Sequence, residues 1–368
     1  MFFRGLSPKA QYPRQPGSQA VSVVGHQIHT AREMVVSSRL VYFALVIFLA
    51  IVILLFCHFS AFLQGKNSEY FNKPAKTLWF TAVSTDSSIH LPQLKSSIHS
   101  AIHIHSIFPV ILVSGNFSLL PDWLQLLSKT SYVGVIHHEL SFSKRIVSSF
   151  SSPHPAYLRI DIPLVVKELR KIPRYLSLGI QFDYALYTDT DVLFSQSFKL
   201  SVLPLPRVLA NGAEIYKGVM SNSGVLYMNI SAMQAHMSQL LDFADSKNWS
   251  FPAVDQGLIL EHFVHKLKVA ELLPDSFNWK PYWGINPIAS IVHFHGAKPG
   301  ACAECFAIDS NFGSGCGCPA YSSVSGLSSS LYNLPLHVQS SSYAHYLGLY
   351  YHHQSLFTKM IYQVERYK

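Results

Sequence analysis

The chain has 368 residues, 49% of them apolar and only 13% charged, with a formal net charge of +8. That length and apolar content support one large folded domain or two ordinary ones, and exclude a disordered chain. The basic residues form no Lys/Arg-rich stripe that could track a nucleic-acid backbone, which excludes that partner, and the positive balance suits a polyanionic small ligand or a membrane surface.

Residues 1–39, rich in Ser, Gln, Pro and Gly without helical period, read as a disordered tail. Leu40–Phe62, "LVYFALVIFLAIVILLFCHFSAF", contains no Asp, Glu, Lys or Arg. At about 1.5 Å per residue it spans roughly 30 Å of hydrocarbon. It has no polar face, as a buried core helix would, and exceeds the roughly 7–15 apolar residues of a cleaved signal, so it predicts a single membrane anchor. The preceding flank carries Arg4, Lys9, Arg14, Arg32 and Arg39 against Glu33; the following one has Lys66, Lys73 and Lys76 against Glu69. This bias predicts a cytoplasmic N-terminus and a lumenal remainder, a type II arrangement. Sequons at Asn116, Asn229 and Asn248 all follow the anchor, with Asn229 expected in a buried strand, "GVLYMNI". Residues 63–76 form a short polar stem.

From Thr77 the texture changes. "TLWFTAV" has the β-branched and aromatic character of a buried strand, and "QLKSSIHSAIHI" places Leu94, Ile98 and Ile102 at helical spacing. "FPVILVSG" and "YVGVIHH" predict two more strands. "RIDIPLVVKELRKIPRYLSLGI" is expected to be helical in parts, interrupted by Pro163 and Pro173. Apolar strands alternating with helices predict an α/β domain whose mostly parallel sheet is covered on both faces. We place that domain at 77–300. Residues 301–368 are expected to form a cysteine-containing loop and a helical extension packed on the domain. Its tail, "YAHYLGLYYHHQSLFTKMIYQVERYK", predicts a final helix in which His345, His352 and His353 are packed or surface residues. Of five cysteines, Cys57 falls in the anchor, while Cys302, Cys305, Cys316 and Cys318 form a C-x2-C-x10-C-x-C cluster. In a lumenal compartment this predicts two local disulfides, with a four-thiolate zinc site as the alternative.

The informative stretch is "YALYTDTDVLF", where Asp189 and Asp191 flank Thr190 at the end of an apolar strand. Residues i and i+2 of an extended segment project to one side, and two adjacent carboxylates are best held ionised by a divalent cation. A strand's carboxyl end is also where open α/β sheets bind ligands. Three further stretches accompany it. "SNSGVLYMN" is expected to lead a polar turn, with Asn222 and Ser223, into a strand. "FPAVDQGLILEHFV" sets Asp255 and Gln256 at a helix start. "IVHFHGAKPG" ends a strand with His293 and His295, followed by Gly296 and Lys298. A histidine there could supply a nitrogen ligand, and Lys298 could neutralise a phosphate.

This order of motifs, strand–DxD, N-S-G-V-L, D-Q and a late H-F-x-G…K-P over about 77–300, resembles the family 8 glycosyltransferases. The resemblance implies a GT-A fold, a UDP-linked or similar nucleotide-sugar donor bound with Mn²⁺ or Mg²⁺, and hexose transfer with retention to a glycan, protein or lipid, in the Golgi or another secretory membrane. It implies that Asp189, Asp191 and His293 are metal ligands, with His295 open as the alternative nitrogen. It also implies that Lys298 contacts the donor diphosphate and that Thr190, Ser223 and Gly296 are among the donor-binding residues. Asn222, Asp255 and Gln256 would face the donor sugar, Thr81, Ala82 and Val83 the base, and Arg159 would be a basic donor contact. The family pattern H-x2-G-x2-K-P-W is departed from: Lys298 comes one residue early and Gly300 stands in place of Trp. The same fold kept as an inactive carbohydrate-binding or scaffold protein is the alternative function.

Overall fold

The structure, a computed structural model, describes residues 76–85, 90–104, 106–146, 155–198, 203–214, 217–295, 298–299 and 336–366. The anchor at 40–62 with Cys57, its flanking tail and stem, Gly296 and the cysteine cluster at 302–318 lie outside the described residues. Among the described residues no helix is long and apolar enough to cross a membrane.

The chain enters through β1 (Lys76–Ser84), α1 (His90–His103), β2 (Ile107–Ser114), α2 (Asp122–Ser128) and β3 (Gly134–His137). These strands run parallel, with Phe80 beside Val110 and Val110 beside Gly134. A 3-10 segment (Pro155–Asp161), α3 (Ile162–Leu169) and α4 (Pro173–Leu176) then carry the chain to β4 (Ile180–Thr188), on the other side of β1. Next come β5 (Val192–Phe194), β6 (Leu209–Ala213), β7 (Met220–Asn229), α5 (Ile230–Ser246) and α6 (Asp255–Ile259), which continues as a π-helical turn over Leu260–Lys266. β8 (Ala270–Leu272), β9 (Ile291–His293) and α7 (Leu336–Arg366) complete the described elements.

Among the described residues seven strands form one sheet in the order β3-β2-β1-β4-β7-β6-β8, and β5 pairs with β9 apart from it. The four strands from β3 to β4 are mutually parallel, β7 is antiparallel to both β4 and β6, and β8 is parallel to β6. The fold is therefore α/β with a mixed, mainly parallel sheet.

Strand alternation explains why these runs are mostly apolar on both faces. Leu78 and Phe80 of β1 join Phe108, Val110 and Leu112 of β2 in one core cluster. The intervening Trp79 and Val83 join Ile107, Ile111 and Val113 in the other. Both faces are covered, so no position can be polar without cost. A third cluster packs Tyr343, Tyr346 and Tyr350 of α7 against Trp279, Tyr282 and Trp283.

Three local expectations are corrected. Pro163 and Pro173 start helices rather than interrupt them, because first-turn N–H groups have no intrahelical acceptor and proline sacrifices nothing there. Asn222 and Ser223 lie within β7, not in a turn before it. Asn229 ends β7 half-buried, and its side chain caps α5 by accepting from the Ala232 N–H at 3.2 Å.

α1 backs directly onto the Asp189–Asp191 segment. Ser97 Oγ lies 2.5 Å from the Thr190 carbonyl and 2.7 Å from that of Val192, and Ser100 Oγ accepts from the Phe194 N–H at 3.1 Å. Replacing Ser97 by Ala leaves buried carbonyls without a donor. Urea unfolding of that variant is expected to show a loss of about 1–3 kcal/mol.

Candidate active site

β1 is the point where the strand order reverses: the chain leaves it toward β2 and β3, then returns to β4 on the opposite side. Ligands of open α/β sheets bind beyond the carboxyl ends of strands at such a point. There the structure has a cleft of about 590 Å³, lined among others by Ala82, Val83, Tyr187, Asp189, Asp191 and Lys298. Thr190 and Arg159 also reach it, whereas Thr81 is fully buried and is not part of the lining.

Arg159 organises the floor. Its guanidinium pairs with Asp189 Oδ1 at 2.9 Å through Nη2 and with Asp255 Oδ2 at 3.0 Å through Nε, and Nη1 donates to the Ser223 carbonyl at 2.6 Å. The group stacks over the Tyr187 ring at 4.4 Å, and Tyr187 donates its hydroxyl to the same Asp189 oxygen at 3.0 Å. Burial alone would lower the Arg159 pKa, but Asp189 and Asp255 outweigh it and keep the side chain charged. Most of its donors therefore go to the protein, and Arg159 meets the cleft as a fixed positive surface.

Asp189, Asp191 and His293 each offer one ligand atom within 4.8 Å of the others. Strand pairing brings them together: β9 lies antiparallel to β5 with His293 opposite Val192, and the Phe294 N–H donates to the Asp191 carbonyl at 2.9 Å. Each carboxylate has one oxygen engaged, Asp189 Oδ1 by Arg159 and Tyr187, Asp191 Oδ2 by Lys298. The inner oxygens face His293 Nε2, at 3.8 Å from Asp189 Oδ2 and 3.6 Å from Asp191 Oδ1. Burial raises the pKa of both carboxyls, but Arg159 for Asp189 and Lys298 for Asp191 bring them below the usual carboxylate range.

The protonation of His293 follows from its neighbours. Asn278 Nδ2 lies 2.9 Å from the Ala213 carbonyl, which only accepts, so Asn278 Oδ1 must face the other way. That oxygen is 3.0 Å from His293 Nδ1, which therefore carries the proton. Burial holds the ring pKa at about 4, so Nε2 is an unprotonated acceptor. Nε2 is buried without a hydrogen-bond partner. Three acceptors thus converge with no proton among them, an arrangement that fits a cation. Oxygen-rich ligation with one imidazole suits Mn²⁺ or Mg²⁺. Gly224 leaves the space open: a Cβ there would lie 2.3 Å from His293 Cε1 and 2.6 Å from Asp189 Oδ2.

Lys280, fully buried, stands behind this group, 2.9 Å from His293 Nδ1, 3.0 Å from Asn278 Oδ1 and 3.4 Å from Asn222 Oδ1. Burial pushes its pKa well below the ordinary lysine value.

The opposite wall carries the predicted sugar-facing residues. Gln256 Oε1 accepts from the Ser223 N–H at 3.1 Å and Asn222 Nδ2 at 3.3 Å, and its Nε2 donates to Glu214 at 3.2 Å. Asn222 and Asp255 are buried, and their partners are protein groups: Gly224, Asn278 and Gln256 for Asn222, Arg159 and Ser223 for Asp255. Both are therefore placed to position Gln256 and Arg159. Ala253 and Val254 enter α6 at positive φ, 51° and 59°, a strain of about 1–3 kcal/mol each at the entry to Asp255 and Gln256.

His295 is drawn away from the carboxylates, its Nε2 to Glu214 at 3.1 Å and its Nδ1 to the Tyr282 hydroxyl at 3.1 Å. Sequence reasoning missed Glu214, Asn278 and Lys280. The readable signals were a lone cation in the aromatic run "FNWKPYW" and an acid closing the strand "LANGA".

No family model matches the chain, and no curated protein matches it in sequence. Among solved structures it is similar to the glycosyltransferase GlyE of Streptococcus pneumoniae, with 19% identity and a TM-score of 0.44 over 61% of this chain and 56% of that one. It is also similar to the galactosyltransferase LgtC in complex with donor and acceptor sugar analogues, with 15% identity and a TM-score of 0.44 over 70% and 97%. A third is mouse xyloside xylosyltransferase 1, with 13% identity and a TM-score of 0.42 over 61% and 99%. The chain spans a little over half the length of the pneumococcal protein.

Two outcomes are expected. Gly224→Ala drives a methyl into the space between His293 and Asp189; Mn²⁺ binding followed by electron paramagnetic resonance should be lost, with a stability cost of about 1–3 kcal/mol. Burial pushes the Asp255 carboxyl up to about 6, partly offset by Arg159. The fold thus favours the neutral form, and this contribution to stability is fully present below pH about 4 and lost as pH rises through about 6. Relative to Asp255→Asn, the wild type should lose at most about 3 kcal/mol between pH 4 and 7 in chemical denaturation.

Proposed function

We propose that the chain is a metal-dependent glycosyltransferase of GT-A architecture, akin to family 8, that transfers a hexose from a UDP-linked or similar nucleotide-sugar donor to a glycan, protein or lipid acceptor with retention. The observation that carries the reading is the convergence of Asp189 Oδ2, Asp191 Oδ1 and the bare, buried His293 Nε2 beside an open cleft at the strand-order switch. The motif order resembling that family supports it.

A bound divalent cation would offset the charge that builds on the departing nucleoside diphosphate as the glycosidic bond breaks. Asp189, Asp191 and His293 would hold that cation. Lys298 pairs with Asp191 and is partly exposed, so it can turn to the phosphates once Asp191 serves the cation. Ala82 and Val83 at the end of β1 would form the floor under the base. Gln256, its amide fixed at both ends by Ser223, Asn222 and Glu214, would steady the electron-poor sugar carbon as the acceptor hydroxyl approaches. Arg159 keeps Asp189 ionised and oriented, and Asp255 holds Arg159 in place. The span at 40–62 would anchor the protein as a type II, single-pass protein with this site in the secretory lumen, the Golgi being the expected compartment.

The test uses the full-length protein in detergent with a panel of nucleotide sugars, following release of nucleoside diphosphate. Turnover should require Mn²⁺ or Mg²⁺ and fall at least about 100-fold in Asp191→Asn, the loss that several kcal/mol of charge stabilisation implies. Folded protein that neither binds nor turns over any donor would instead favour the carbohydrate-binding or scaffold reading.

A further inference from the structure

A second group of chemistry-bearing side chains lies away from the cleft lining. His99 and His103, four residues apart on α1, present their rings on one helix face. His353 of α7 meets them there: His99 Nδ1 is 2.9 Å from His353 Nδ1, and His99 Nε2 is 3.3 Å from His103 Nε2. The three residues each offer one nitrogen within 4.8 Å of the others. His99 is buried, His353 half-buried and His103 exposed. Among the described residues no carboxylate pairs with any of them. A protonated ring would lack a counter-charge here, and burial together with the neighbouring imidazoles holds His99 and His353 at about 4. Neutral rings bring bare nitrogen lone pairs to one point.

We propose that His99, His103 and His353 form a second metal site, selective for zinc or another late first-row divalent ion, that fastens α7 to α1. Three imidazoles without an oxygen ligand suit zinc, copper, nickel or cobalt and disfavour magnesium and manganese, the opposite preference to the Asp189–Asp191–His293 group. In a tetrahedral zinc site, ligand atoms about 2.0–2.1 Å from the ion sit roughly 3.3 Å apart, against the 4.8 Å within which the three nitrogens lie here. The exposed side at His103 leaves the fourth position to water. The same two helices already meet through Ser96 Oγ, which donates to the Tyr350 carbonyl at 3.1 Å, and α7 reaches α2 through Phe357, whose ring lies edge-on to Trp123. A metal there would tie residues 254 positions apart, closing a long loop of the chain. It would also steady α1, whose Ser97 and Ser100 hold the backbone around Asp191.

The experiment takes the full-length protein in detergent, strips it with chelator, and titrates it with Zn²⁺ and with Co²⁺ as a spectroscopic substitute. Asp191→Asn, which disables the carboxylate site, should still take up one equivalent of Co²⁺ with a tetrahedral d–d spectrum lacking thiolate charge transfer, which separates this site from the cysteine cluster. His103→Ala, an exposed change that spares the core, should weaken that uptake beyond the roughly 10–100-fold that loss of an outer partner costs, and His353→Ala should do the same. The zinc-dependent rise in Tm should vanish in both. A Co²⁺ equivalent that persists unchanged in His103→Ala and His353→Ala, or no uptake beyond the carboxylate site in the wild type, would overturn the proposal and leave a hydrogen-bonded row of neutral imidazoles. The wild-type comparison with His103→Ala decides the matter even if Asp191→Asn fails to fold.

Discussion

Placing Asp255 in the interior and half-burying Asp189 beside it is tolerable because the Arg159 guanidinium lies between them. Each carboxylate alone would cost several kcal/mol to desolvate, and the two would repel. Arg159 meets one oxygen of each with a separate N–H and closes on the Ser223 carbonyl, so it fixes the end of β4, the start of α6 and the middle of β7 relative to one another. It comes from the 3-10 segment before α3, and so does not depend on the loops whose positions it sets. Its removal would leave two unpaired acids and a free carbonyl at the point where three elements converge.

The rest of the site follows from a chain of one-way hydrogen bonds. A backbone carbonyl can only accept, which orients Asn278; Asn278 orients His293; and the bare nitrogen that results faces two carboxylate oxygens. Lys280 closes this chain from behind as a buried amine whose pKa burial lowers. Lys298, on the open side, holds the outer oxygen of Asp191. The result is a cluster ordered by the protein's own groups yet short of one positive centre, which is the state expected of a site built for an external cation.

The fold was largely legible in the sequence because both faces of the sheet are buried. The strands at 77–83, 108–115, 132–138 and 184–187 are mostly apolar runs, and such runs have few other stable outcomes. Pro163 and Pro173 misled because proline breaks a helix interior but suits its first turn, and composition does not show which position it will take. Asn222 and Ser223 have turn-forming side chains, yet they extend β7 because Asn278, Gln256 and Arg159 satisfy their polar groups from other segments.

For the site itself, the sequence determined the pair Asp189 and Asp191, since a D-x-D at the end of an apolar strand projects two carboxylates to one side by backbone geometry alone. It also brought His293, His295 and Lys298 into play through a late strand end. Only the tertiary structure shows which of the two histidines faces the carboxylates, because that depends on the β5–β9 register and on Glu214 drawing His295 away. Only the tertiary structure revealed Asn278, Lys280 and the His99–His103–His353 group, whose members come from segments tens to hundreds of residues apart. Backbone periodicity is a local property, but a proton's position and a ligand's partners are set by whichever groups the fold brings within about 3 Å.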